Sequence, residues 1–127
     1  MTPRDSSRYR IELADSSLRV ARESLDRRQW REAALFARAA VENAAKAVQA
    51  CFTNVHHTHD PDQLLAEALG SSRFPAELRA RAEALLPRLA GLTPWELVTE
   101  ERARGHVGIA EEAAALAHDC YAALHPA

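Results

Sequence analysis

From Ala33 to Cys51, small apolar residues recur at every third or fourth position: Ala33, Ala37, Ala40, Ala44, Ala47 and Cys51. That spacing follows the 3.6-residue turn of an α-helix, so all six fall on one face. Phe36, Val41 and Val48 widen the stripe, and a helix with so broad an apolar face touches several neighbours. Methyl-sized side chains let those neighbours approach closely. The segment from about Trp30 to about Phe52 is therefore predicted as the central helix of a bundle.

The rest of the chain keeps the same period. Ile11, Ala14, Leu18, Ala21 and Leu25 predict a first helix from about Asp5 to Arg27, behind a flexible lead-in over residues 1–7. A short polar connection at 26–29 suits antiparallel neighbours. Asp60 is a good N-cap and Pro61 a good first helical residue. They open a short helix faced by Leu64, Leu65, Ala68 and Leu69 and stopped by Gly70-Ser71-Ser72. A fourth helix opens near Pro75 with Leu78, Ala82, Leu85, Leu86 and Leu89 inward, and Pro87 is expected to kink or end it. Gly91 to Pro94 forms a loop carrying Trp95. Trp95 and Trp30 are both expected as core residues or plugs at a bundle end. Thr99, followed by two glutamates, reads as the N-cap of a fifth helix running to about Leu124. Its stripe is Ala103, Val107, Ala110, Ala114, Ala117, Tyr121 and Leu124. Gly105 and Gly108 weaken its first turns by about 1 kcal/mol each relative to alanine. That loss suggests close approach of another backbone, or a later helix start. No segment alternates with period two for long enough to make a strand. The reading is all-α: an antiparallel up-and-down bundle of four to five helices.

A chain of 127 residues has the usual length of one domain, here taken as 1–127. Charged residues are 27% and nearly balanced, for a net charge of −2. No general pull towards nucleic acid or an anionic membrane follows from that balance. The polar stretch Met1 to Arg10 lacks an apolar signal core, and no run reaches bilayer length. A cytoplasmic protein with no membrane contact is expected. Cys51 and Cys120 lie within helical apolar patterns and read as buried thiols of a reducing compartment rather than as a disulfide.

Few residues carry chemistry. Glu42 and Lys46 are spaced i, i+4 in the order that favours a helix salt bridge, worth only ~0.2–0.5 kcal/mol. His56, His57 and His59 cluster in one loop, yet no cysteine or carboxylate completes a metal-binding spacing, and neither metal nor cofactor is expected. His118 and His125 suit the negative pole at the end of the fifth helix and are given no further role. Arg102 and His106 can share a helix face at i, i+4.

The stretch Trp30-Arg-Glu-Ala-Ala-Leu-Phe-Ala-Arg-Ala-Ala-Val-Glu42-Asn-Ala-Ala-Lys46-Ala resembles the second helix of HEPN domains. There an aromatic residue opens the helix and small residues precede a Glu-x-x-x-Lys-Ala signature. Thr58-His59-Asp60, then Leu64-Leu65, resembles the short segment before that family's third helix. Thr99-Glu-Glu followed by Ala110-Glu-Glu-Ala113 is similar to its acidic, alanine-rich last helix. The resemblance implies a helical bundle that commonly forms homodimers, here expected through an exposed alanine-rich helix face. It also implies a module for a nucleotide or a protein partner, working with a small nucleotidyltransferase in a toxin–antitoxin-like pair. Glu42, Lys46 and His59 are the ligand-binding residues it points to. Some members are metal-independent ribonucleases in which an arginine is followed, after four to six residues, by a histidine. That pair polarises the scissile phosphate and assists proton transfer. The nearest match here, Arg102-Ala-Arg-Gly-His106, is one residue short. Arg102 and His106 are thus weak catalytic candidates, and RNA is the less favoured ligand. A helical interaction bundle without a ligand is the remaining alternative.

Overall fold

The computed structural model describes residues 2–53 and 58–126. It contains five helices and, among the described residues, no strand. They are α1 (Pro3–Asp26), α2 (Trp30–Ala50), α3 (Pro61–Leu69), α4 (Ala76–Leu89) and α5 (Glu100–Leu124).

Helix α1 begins at Pro3, before the expected start near Asp5, so the expected flexible lead-in is already helical from there. Thr2 accepts a hydrogen bond from the Asp5 backbone N–H at 3.1 Å, and the Asp5 carboxylate accepts from the Thr2 N–H at 3.4 Å. This reciprocal pair satisfies donors that the first turn leaves free. One turn on, Ser7 is fully buried and its hydroxyl donates to the Ala47 carbonyl at 2.9 Å. Arg10 reaches Asn43 at 3.2 Å, so α1 and α2 run antiparallel. The turn between them bends at Arg28, whose φ of 58° lies in the left-handed region.

The alanine stripe of α2 is the centre of the molecule. Ala33, Ala37, Ala40, Ala44 and Ala47 are all at most 1% exposed, and α2 packs on α1, α5 and α3. Helix α5 also runs antiparallel to α1, as the pairs Arg22–Glu111 and Asp15–His118 show. Helix α4 runs antiparallel to α5 through Arg81–Asp119 and Arg88–Glu112. These surface pairs fix direction more than stability, since exposed ion pairs contribute ~0–1 kcal/mol.

Several local expectations change. Asp60 stands at the N-cap of α3, but its side chain makes no capping bond. Its backbone N–H donates instead to the Thr58 hydroxyl at 3.1 Å. Helix α4 continues two residues past Pro87 before ending. Trp30 packs against the core as a bundle-end plug, whereas Trp95 is 67% exposed and plugs nothing. Neither explanation offered for Gly105 and Gly108 holds. Helix α5 starts ahead of both, and a Cβ at either would meet nothing within 4 Å. Cys51 and Cys120 are buried and free; burial raises both thiol pKa values, that of Cys120 to about 12. No helix among the described residues is long and apolar enough to cross a membrane.

Candidate functional site

Three charged residues stand in a row on α2, each one turn from the next: Arg38, Glu42 and Lys46. From Ala44 to Ala50 the helix is buried on every side, so Lys46 is drawn inward with it, while Arg38 and Glu42 are half-buried. Lys46 is only 5% exposed. Its ammonium donates to Glu42 Oε2 at 3.0 Å. Arg38 Nη1 lies 3.8 Å from Glu42 Oε1, beyond hydrogen-bond reach. That nitrogen is buried and has no hydrogen-bond partner among the described residues. His59, on the segment before α3, brings Nδ1 to 3.7 Å from Glu42 Oε2 while 80% of its side chain stays exposed. One turn beyond Lys46, the buried Gln49 donates to Glu67 of α3.

The structure thus brings Glu42, Lys46 and His59 together, with the carboxylate at the centre. Arg38 is the member that sequence reasoning missed. Its signal was present, since it lies four residues before Glu42 on the same face. Among the described residues one carboxylate serves two fixed cations here, and an ammonium can donate three hydrogen bonds. The row therefore carries surplus positive charge and unused donors in a poorly hydrated place. Such a place favours an anion with several acceptor oxygens. His56 and His57 lie outside the described residues.

Arg102 and His106 sit elsewhere. Arg104, between them, places its guanidinium over the Trp30 ring, at 5.9 Å from the centroid. Lys46 lies sixteen residues further along α2, roughly 24 Å at 1.5 Å per residue. His106 is 6% exposed, and its Nε2 accepts a hydrogen bond from the Thr93 backbone N–H at 3.2 Å. Arg102 donates to the Thr93 hydroxyl and forms an ion pair with Glu96 Oε2 at 3.1 Å. Together they clamp the loop between α4 and α5 onto α5. An acceptor nitrogen already engaged by a backbone N–H is not free to take a substrate proton.

Burial depresses the His106 pKa from its ordinary 6.5, the largest of the effects acting on it. The folded chain therefore prefers the neutral ring, and the unfolded chain takes up the proton first as pH falls. The clamp contributes fully above about pH 6.5 and is lost as pH drops through the depressed folded value. Melting curves between about pH 7.5 and 5.5 should show wild type losing more stability than His106→Gln. Equal losses would mean that this ring does not sense pH through folding.

A family model for the HEPN domain matches residues 7–112. The chain belongs to the HEPN family. No curated protein and no solved structure matches it. The match contains both residue sets, the α2 row and the α5 clamp, so HEPN membership alone does not choose between them. The local geometry separates them: the α2 row of this HEPN domain has unfilled donors, and the α5 pair has its polar atoms engaged.

Proposed function

We propose that this HEPN domain binds a nucleotide through the α2 row, with Arg38 and Lys46 contacting phosphate, Glu42 orienting both and His59 closing the exposed side. The observation that carries this reading is the buried Arg38 Nη1, which has no hydrogen-bond partner among the described residues, on the same row as the buried Lys46. A phosphate supplies the acceptor that the protein withholds. Family membership supports a nucleotide-binding or ribonuclease-like module. The ribonuclease form is disfavoured by the engagement of Arg102 and His106 with the 93–96 loop. Loss of RNA cleavage in His106→Ala would revive it. We further propose a small nucleotidyltransferase as partner, in a toxin–antitoxin-like pair, and a homodimer. The dimer face is not the α2 stripe, which is buried within one chain.

The test is a thermal-shift comparison with ATP and related nucleotides, each protein read against its own unliganded melting point. A ligand at a hundred times its dissociation constant stabilises by about 2.7 kcal/mol, several degrees at this size. Wild type is expected to shift, and Lys46→Ala and Arg38→Ala are not. No shift with any nucleotide would move the reading to a protein-partner module.

A further inference from the structure

A groove of about 520 Å3 lies between the first turns of α1 and the last turns of α5, within the size range of small-molecule sites. Arg4, Arg8, Glu12 and Asp15 enter it from α1, and His118, Tyr121 and His125 from α5. The charges within it are unevenly matched. Arg8 Nε lies 3.7 Å from Glu12. Asp15 holds His118, whose Nε2 lies 3.0 and 2.9 Å from the two carboxylate oxygens. Arg4 instead donates its Nε–H to the Tyr121 hydroxyl at 3.2 Å. Among the described residues no carboxylate pairs with the two terminal nitrogens of Arg4. The His125 ring leans on Tyr121 with centroids 4.9 Å apart. Its Nε2 is buried and has no hydrogen-bond partner among the described residues, a desolvation penalty that an occupant would remove.

We propose that this groove binds a phosphate monoester carried on a small molecule, with Arg4 and His118 as the anion contacts and His125 Nε2 as a third polar contact. The free fork of Arg4 matches two phosphate oxygens at once. With His118 Nε2 tied to Asp15, Nδ1 is its open edge, and it becomes a donor when the ring is protonated. While both imidazoles are neutral, Arg4 and Arg8 balance Glu12 and Asp15. The site shares no residue with the α2 row and does not rest on the nucleotide reading given for it.

The experiment is calorimetric titration of wild type, Arg4→Ala, His118→Ala and the control Arg31→Ala with inorganic phosphate, 5′-AMP and adenosine at pH 6. Arg4 is exposed and more than half of the His118 side chain is exposed, so both variants are expected to fold. AMP should bind, and adenosine should not. Arg4→Ala and His118→Ala should each weaken AMP about tenfold, the value of one charge-assisted contact, while Arg31→Ala, an exposed arginine outside both the groove and the α2 row, retains this binding. Phosphate binding as tightly as AMP would identify the free ion as ligand, and AMP binding more tightly would identify the ester. AMP affinity unchanged in both groove variants, or weakened equally in Arg31→Ala, overturns the proposal. So does adenosine binding as tightly as AMP, or wild type binding neither phosphate nor AMP.

Discussion

Replacing Glu42 with alanine is expected to destabilise the protein by about 3 kcal/mol, the scale for breaking a buried ion pair from one side. The melting point should fall by roughly 10 °C or more. The size follows from burial. An exposed i, i+4 pair is worth only ~0.2–0.5 kcal/mol, but the Lys46 side chain is 7% exposed and pairs with Glu42. Without the carboxylate, a buried ammonium and a buried guanidinium nitrogen two turns apart on one face of α2 both lose their counter-charge. The double variant Glu42→Ala with Lys46→Met should recover much of the loss, because it removes the stranded charge while keeping the packed volume. Chemical denaturation of the three proteins decides the matter. A single variant within about 1 kcal/mol of wild type would mean that Lys46 reaches water, and the argument for an anion site on α2 would lose its footing.

Ala40→Leu should be comparably damaging, by about 3 kcal/mol, at the upper end of overpacking costs. Ala40 is 0% exposed at the middle of the stripe. The added atoms must displace a neighbouring helix, since packed interiors hold few voids larger than a water molecule. Ala123→Leu makes the control: Ala123 lies on the exposed side of α5, and its substitution should change stability by less than about 0.5 kcal/mol. If both substitutions cost the same, close helix approach is not what the α2 alanines provide.

The helices were legible because a repeating three- and four-residue spacing survives any local detail. Ile11 through Leu25, Ala33 through Cys51 and Ala103 through Tyr121 each announce a face, and these faces are largely buried. End effects were less legible, because they depend on single hydrogen bonds. The Thr2–Asp5 pair extends α1 through residues that carry no apolar signal. The exposure of Trp95 and of Leu97, at 67% and 87%, depends on where the Arg102–His106 clamp holds their loop, which no periodicity encodes. At the candidate site, Glu42, Lys46 and His59 were visible through motif resemblance. Arg38 was not, because an arginine on a helix reads as surface until its depth is known. The α1–α5 groove was hidden for a different reason. His118 and His125 each had a sufficient local explanation at a helix end, whereas Asp15 and Arg4 lie over a hundred residues away in the chain.

The alanine-filled centre also bears on how the protein responds to temperature. Each methyl group withdraws little apolar surface from water compared with a leucine or phenylalanine, so unfolding this core newly hydrates less hydrocarbon per residue. The heat-capacity increment of unfolding scales with that surface. A core centred on Ala33, Ala37, Ala40, Ala44 and Ala47 therefore gives a smaller increment than one of equal length built on leucine. Its stability curve is correspondingly broad and shallow, with the cold and hot limits of the folded state set far apart.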